Sequence, residues 1–152
     1  MILTSSYLRE QAAKRNITEY SQQRILNENA EFFKKSITKT YDIFLSHSSL
    51  DKKQVLTLLK LFKEAGYTVY VDWIEDTQLD RNNVTKATAQ VLKNRMKTSK
   101  GLSYLTTSNS TSSKWCPWEL GFFDGLKDER CCILPVMDYS TYSFKGQEYL
   151  GL

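Results

Sequence analysis

Apolar and polar residues follow two different spacings along the chain, and these spacings predict alternating strands and helices. Short apolar runs rich in β-branched and aromatic residues predict four strands, at residues 41–45, 67–71, 102–106 and 131–137. Apolar positions that recur every three or four residues predict three helices between the strands. The first covers residues 51–65, the second starts near Val84 and ends before Gly101, and the third has Pro117 as its first residue or within its first turn and runs to about Leu126. The resulting β-α-β-α-β-α-β order indicates a parallel sheet with helices on both faces.

The first part of the chain has another pattern. Residues 4–36 contain neither glycine nor proline, and apolar side chains such as Leu8, Ala12 and Phe33 recur at roughly helical spacing. This predicts one or two helices, with a break or cap at Asn16 or Thr18. An amphipathic helix of this kind more often packs on the flank of a domain than binds a partner, and we expect the former here.

These patterns suggest two regions, a helical extension at residues 1–38 and an α/β domain at residues 39–152. A further strand is expected to begin within residues 149–152, so we expect the domain to be cut short at its C-terminus. The proline of the 131–137 run, Pro135, predicts that this strand ends or lies at the sheet edge there.

Composition narrows the functional classes. With 41% hydrophobic and 25% charged residues the chain can bury a core, and a net charge of +4 without a dense Lys/Arg block does not favour nucleic-acid binding. No apolar run is long enough to span a bilayer, and the N-terminus lacks the apolar segment of a signal peptide. Three cysteines without CxxC spacing argue against disulfides and a zinc site, and so favour the cytoplasm.

Several catalytic classes are disfavoured by missing motifs. The chain has no GxGxxG turn and no P-loop, and its one histidine, His47, cannot build a histidine-based metal site. A serine triad would have to use His47 without a GxSxG elbow. Cys116 could be activated at a helix N-terminus, but the chain has no second histidine to act as its base.

Polar segments follow three of the predicted strands, at residues 46–49, 72–80 and 106–115. Ligands of parallel sheets bind beyond the carboxyl ends of the strands, so these segments are expected to form a site. Within the last of them and the helix after it, Trp115 and Glu119 are four residues apart and lie on one side of the helix. If Pro117 is the first helical residue, Glu119 falls in the first turn, where the helix dipole favours its ionised form.

An indole beside a carboxylate can hold a flat cationic ring such as the nicotinamide of NAD⁺. Nicotinamide leaves as a neutral molecule, so cleavage of its glycosidic bond needs no general acid. One carboxylate can stabilise the oxocarbenium-like transition state. The residues therefore allow NAD⁺ cleavage without a metal or a further cofactor.

Three segments together resemble Toll/interleukin-1 receptor (TIR) domains. They are the run from Tyr41 to Ser49 with Asp51, the run from Gly66 to Asp72, and Ser113-Lys114-Trp115-Cys116 followed by Glu119-Leu120. The last is similar to the WCxxE segment of plant and bacterial TIR domains, and the resemblance covers residues 40–137. It implies a flavodoxin-like three-layer fold with about five parallel strands, and NAD⁺ hydrolysis or cyclisation.

The resemblance also assigns residues. Glu119 takes the position of the essential carboxylate. The predicted substrate-binding residues are Ser46, His47, Ser48, Asp72, Trp73, Trp115 and Cys116. The loop after the second strand lacks the glycine and proline common in TIR signalling adaptors, which disfavours an animal adaptor.

The implied role is that of a bacterial antiphage protein that depletes NAD⁺ or makes a cyclic ADP-ribose signal for a separate effector. Self-association through TIR–TIR contacts is also implied. Three readings remain open on sequence alone: this enzyme, a non-catalytic TIR scaffold or virulence effector, and a nucleoside-processing enzyme of the deoxyribosyltransferase kind.

Overall fold

The computed structural model describes residues 3–18, 21, 24, 40–76 and 85–137 of the chain. Its strands are β1 (Leu3–Thr4), β2 (Tyr41–Ser46), β3 (Val69–Tyr70), β4 (Ser99–Thr106) and β5 (Cys131–Met137). Its helices are α1 (Ser5–Lys14), α2 (Lys52–Glu64), the single turn α3 (Asp72–Glu75), α4 (Lys86–Lys97) and α5 (Trp115–Leu126). Short 3₁₀ turns lie at Ser49–Asp51 and Ser110–Ser112.

The five strands form one parallel sheet in the order β1-β5-β4-β2-β3. The predicted flavodoxin-like α/β fold is therefore confirmed. All four predicted strands and all three predicted helices are present, with ends that differ by a few residues. Within the described ranges, no helix combines the length and the apolar composition needed to cross a membrane.

The N-terminal residues contribute a strand that the sequence pattern did not predict. Leu3 pairs with Val136 of β5 in parallel register, so β1 occupies the outer position of the sheet. The Thr4 hydroxyl accepts a hydrogen bond from the Tyr7 amide at 3.1 Å and caps α1. The helix break predicted at Asn16 or Thr18 is confirmed, because α1 ends at Lys14 and Asn16 has a φ of 52°. The rest of the predicted N-terminal helical region and the strand expected at residues 149–152 fall mainly outside the described residues.

β5 is an interior strand, so the expectation of a sheet edge at Pro135 is wrong. β4 pairs with β5 as far as Thr106, which lies opposite Pro135. β1 begins to pair with β5 only at Val136. Proline has no amide hydrogen to donate to a neighbouring strand. Pro135 lies where the pairing with β4 ends and just before the pairing with β1 begins. The strand can thus contain a proline without being at the edge.

Two apolar cores lie on opposite faces of the sheet. The α2-side core contains Leu8 and Ala12 of α1, together with apolar residues of α2 and of the strands such as Leu45 and Leu105. The α5-side core contains apolar residues of α4 and α5 and the other strand positions, such as Phe44 and Tyr104. Neighbouring residues of one strand thus belong to opposite cores, as Phe44 and Leu45 do in β2 and Tyr104 and Leu105 in β4.

Replacing Leu8 with alanine should destabilise the whole domain, because Leu8 is 2% exposed and belongs to the α2-side core. We expect the free energy of unfolding to fall by about 2–4 kcal/mol in a chemical denaturation experiment. The matched control is Tyr7→Ala, one residue earlier on the exposed side of α1, which should cost about 0.5 kcal/mol or less. Equal losses for the two variants would contradict the packing of α1 described here.

Candidate active site

The end of β2 distributes polar side chains to both faces of the sheet. Phe44 and Leu45 already belong to opposite cores, and the same alternation directs Ser46 toward α5 and His47 toward α2. The Ser46 hydroxyl donates a hydrogen bond to Oε2 of Glu119 at 2.5 Å. Both side chains are buried. A strand end and a helix that are far apart in sequence therefore meet at the predicted catalytic carboxylate.

Pro117 was predicted to begin helix α5 or to lie in its first turn, and the second alternative is confirmed. Trp115 is its first residue, Pro117 is the third and Glu119 the fifth, so the expectation that Glu119 lies in the first turn is wrong. A proline is tolerated this early because the first amides of a helix have no partner within it. The dipole acts mainly on the first turn. The Ser46 hydroxyl therefore contacts the Glu119 carboxylate directly, whereas the end of the helix has little effect on it.

Two tryptophans precede Glu119 in helix α5. Trp115, one turn before Glu119, is buried and contacts Trp118 edge to face, with ring centroids 5.4 Å apart. Trp118 in turn stacks on Phe122 at 5.8 Å. Trp115 therefore lies one helical turn from Glu119, as the sequence predicts. Trp118 contacts the aromatic rings of Trp115 and Phe122 on the same helix.

Cys116 lies in the α5-side core and is fully buried. A buried cysteine behaves as a small apolar residue. This position gives Cys116 a packing role next to the predicted site.

His47, Asp72 and Trp73 form a second group, on the α2 side of the sheet. The indole N–H of Trp73 donates to Nε2 of His47 at 3.0 Å. Nδ1 of His47 lies 2.9 Å from the carbonyl oxygen of Leu45. An oxygen of Asp72 is 3.6 Å from the same Nε2. Since His47 follows Ser46 directly, this group and the Glu119 group meet at two consecutive residues.

Asp51, an acidic residue for which no role was predicted, joins the loops around the site. Asp51 is fully buried and accepts hydrogen bonds from the Thr107 hydroxyl and the Asn109 amide, both at 2.6 Å. Ser48, predicted to bind substrate, is buried and caps the 3₁₀ turn by accepting from the Leu50 amide at 3.3 Å. Asp51 therefore ties the segment after β2 to the segment after β4.

Thr106, the last residue of β4, begins the predicted polar segment 106–115 but was not singled out within it. It shares the strand face of Leu102 and Tyr104, which pack in the α5-side core, and β4 lies next to β2 in the sheet. Its hydroxyl is buried and has no hydrogen-bond partner among the residues that the structure describes. A buried hydroxyl without a partner costs free energy, and a polar ligand group could remove that cost. No periodic pattern would have singled out this threonine.

The segment after β3 is anchored to α4 by an ion pair. Arg95 donates to both carboxylate oxygens of Asp76 at 2.9 Å, and the Tyr70 hydroxyl donates to Asp76 at 2.7 Å. The hydrogen bond to Asp76 raises the pKa of Arg95, and burial raises the pKa of Tyr70. Both groups thus stay protonated at physiological pH. Residues 77–83 of the predicted loop lie outside the described part.

Two further features bear on ligands. Among the described residues, no three His, Cys, Asp or Glu side chains are grouped so that they could hold a metal ion. A cavity of about 260 Å³ lies between α1 and α2, with Arg9 and Lys53 in its lining. It is on the opposite face of the sheet from Glu119, so it is separate from the site described above.

Comparisons with known proteins found a matching family model and two similar sequences. A family model described as a TIR domain matches residues 43–148. The chain is 54% identical over 116 residues to the probable 3' cyclic ADP-D-ribose synthase ThsB' of Bacillus cereus (strain MSX-D12), covering 75% of this chain and 59% of that protein. It is 35% identical over 96 residues to the putative cyclic ADP-D-ribose synthase TIR2 of Cytobacillus dafuensis, covering 62% of this chain and 25% of that protein.

Among solved structures, the TIR domain of the Toll-related receptor TRR-2 from Hydra magnipapillata is similar in fold. Its TM-score is 0.54 at 18% identity, over 74% of this chain and 79% of that one. This likeness concerns the fold alone. The chain spans about three fifths and one quarter of the length of the two relatives named above.

Replacing Asp51 with alanine should loosen the loops around the site. The change leaves the partly buried hydroxyl of Thr107 and side-chain amide of Asn109 without their charged acceptor, so we expect a loss of about 2–4 kcal/mol in unfolding free energy. The control is Asp124→Ala on the exposed side of α5, which should change stability by about 0.5 kcal/mol at most. Denaturant titration of both variants measures the difference, and a loss no larger than that of the control would refute the role of Asp51.

Proposed function

Because this chain belongs to the TIR domain family, we propose that it cleaves NAD⁺ at the bond between nicotinamide and ribose. Glu119 is the catalytic carboxylate in this proposal. The observation that carries it is the buried Glu119 side chain, held by the Ser46 hydroxyl at the carboxyl end of β2. The names of the two relatives, a probable and a putative cyclic ADP-D-ribose synthase, support the same substrate class.

The reaction follows from the charge of the substrate. The bond between the ribose C1' and the pyridinium nitrogen breaks, and its electron pair moves to that nitrogen, so nicotinamide leaves as a neutral molecule. Positive charge shifts to the ribose as an oxocarbenium ion. Glu119 stabilises this ion electrostatically, and does so best in a site from which water is largely excluded. The 2% exposure of Glu119 meets that condition.

The neighbouring residues have defined parts in the proposal. The Ser46 hydroxyl orients the carboxylate and stabilises its ionised form through the hydrogen bond to Oε2. Trp115 supplies an aromatic surface one turn away on the same helix, against which the nicotinamide ring packs. The buried Thr106 hydroxyl supplies a hydrogen-bonding group for a polar atom of the substrate.

The oxocarbenium ion has two fates. Water yields linear ADP-ribose, whereas a hydroxyl or ring nitrogen of the same molecule yields a cyclic product with release of one proton. We favour the cyclic product, because a folded substrate presents its own nucleophile at high effective concentration in a site that excludes water. This is the product class in the names of both relatives.

The biological setting completes the proposal. We place the protein in the cytoplasm of a bacterium, in antiphage defence, where its product signals to a separate effector or NAD⁺ is depleted. Self-association through TIR–TIR contacts belongs to the same proposal. No resident cofactor is required, since NAD⁺ is the substrate.

Glu119→Gln should abolish NAD⁺ cleavage while the domain stays folded. Glutamine keeps the shape of the side chain but lacks the charge that stabilises the oxocarbenium ion, so we expect kcat/KM to fall by at least about 100-fold. Nicotinamide release measured by chromatography tests this. The matched control is Glu10→Gln on the exposed side of α1, which should keep full activity. Equal turnover by the two variants, with matched melting curves, would rule out the mechanism.

The reaction mixture should contain a product lighter than linear ADP-ribose by one water. This mass follows from intramolecular capture of the oxocarbenium ion, which adds no solvent atom to the product. Mass spectrometry of the active protein with NAD⁺ decides the question, and the Glu119→Gln protein supplies the blank. Linear ADP-ribose and nicotinamide alone would mean that the site hydrolyses NAD⁺ and does not cyclise it.

A further inference from the structure

His47 is placed so that substrate cannot easily use its ring nitrogens. The side chain is 1% exposed, and both nitrogens already lie within hydrogen-bond distance of protein atoms. The carbonyl oxygen of Leu45 can only accept, so Nδ1 must carry a hydrogen. The indole N–H of Trp73 can only donate, so Nε2 must carry no hydrogen and act as the acceptor. The two partners together require the neutral Nδ1–H tautomer.

We propose that neutral His47 is a positioning residue that holds Trp73 at the edge of the candidate site, and that protonation of His47 releases Trp73. Adding a proton to Nε2 converts the acceptor of the Trp73 hydrogen bond into a donor. Two N–H groups would then face each other, and the hydrogen bond of 3.0 Å must break. The new N–H has another acceptor nearby, the Asp72 oxygen at 3.6 Å. His47 thus exchanges Trp73 for Asp72.

The charged groups around His47 act in opposite directions. Asp72, at the start of α3, favours the protonated ring because of its negative charge. Lys52, at the start of α2, lies 5.3 Å from the centroid of the Trp73 ring and opposes a second positive charge there. Glu119 lies on the other face of the sheet, bonded to the residue before His47, and Asp51 lies in the 3₁₀ turn after it. The Trp73 hydrogen bond itself favours the neutral ring.

Release of Trp73 would be a local change. The same segment is anchored a second time, three residues later, by the ion pair between Asp76 and Arg95. That pair does not depend on His47, and its arginine keeps its charge over the whole range in which a histidine titrates. Protonation of His47 therefore breaks the hydrogen bond of the indole while the end of α3 stays attached to α4.

The experiment uses the fact that the protein contains one histidine. Nitrogen-15 NMR of the protein without NAD⁺ reports the tautomer of His47 and its pKa directly. At neutral pH we expect the Nδ1–H tautomer. Trp73→Phe removes the donor and should raise the pKa of His47 by about 0.5–1 pH unit. Asp72→Asn removes the negative charge and should lower it by at least about 0.5 pH unit.

Trp118→Phe is the matched control, since Trp118 packs on the opposite side of the sheet against Trp115 and Phe122. It should leave the pKa of His47 unchanged. An Nε2–H tautomer at neutral pH, or a titration that is the same in the parent and in Trp73→Phe, would overturn the proposal. The tautomer is measured on the unmodified protein, so this result stands even if a variant fails to fold.

Tryptophan fluorescence gives a second readout of the release. In the parent, emission should change between about pH 5 and 8 with the midpoint that NMR gives for His47. His47→Gln keeps an oxygen that can accept from Trp73 but cannot be protonated in this range, so the transition should disappear. A transition that persists in His47→Gln would contradict the proposal. Neither measurement uses NAD⁺ cleavage, so its outcome is independent of the proposed function.

Discussion

The alternation of side chains at the end of β2 is the constraint on which the site depends. Two consecutive residues must point to opposite faces of the sheet, so Ser46 reaches Glu119 and His47 reaches Trp73. A shift of one residue in the register of β2 would exchange these partners and place the serine against the wrong core. The five paired positions between β2 and β4 fix that register and hold both contacts at the same edge of the sheet.

The strongest periodic patterns predicted the fold well, and the weak ones did not. Residues 51–65 show a long amphipathic repeat, and α2 lies within one residue of those bounds at each end. By contrast, β1 has two residues, which is too short for any alternation to be visible, and its partner in β5 is more than 130 positions away. Pro117 correctly marked the first turn of α5, but a proline does not specify which residue of that turn it is, so the position of Glu119 within the helix was not determined.

The site was predictable only as far as strand ends determine it. The rule that ligands bind at the carboxyl ends of parallel strands predicted that the segments containing Ser46, Trp73 and Glu119 lie close together. The structure brings Ser46 to Glu119 and Trp73 to the next residue of the chain, His47. It could not show that His47 has both ring nitrogens engaged, because those contacts depend on where the helical turn after β3 packs. The same limit applies to Asp51, whose role rests on a contact between distant segments. It also applies to Thr106, whose buried hydroxyl has no hydrogen-bond partner within the described part of the chain.

Burial of Glu119 links the two halves of the proposed chemistry. A carboxylate removed from water loses hydration, and the Ser46 hydroxyl replaces part of it with a fixed hydrogen bond that needs no reorganisation during the reaction. The same exclusion of water strengthens the attraction between Glu119 and the ribose cation, and it reduces the supply of the competing nucleophile. A site built in this way therefore favours capture by the substrate's own atoms over hydrolysis.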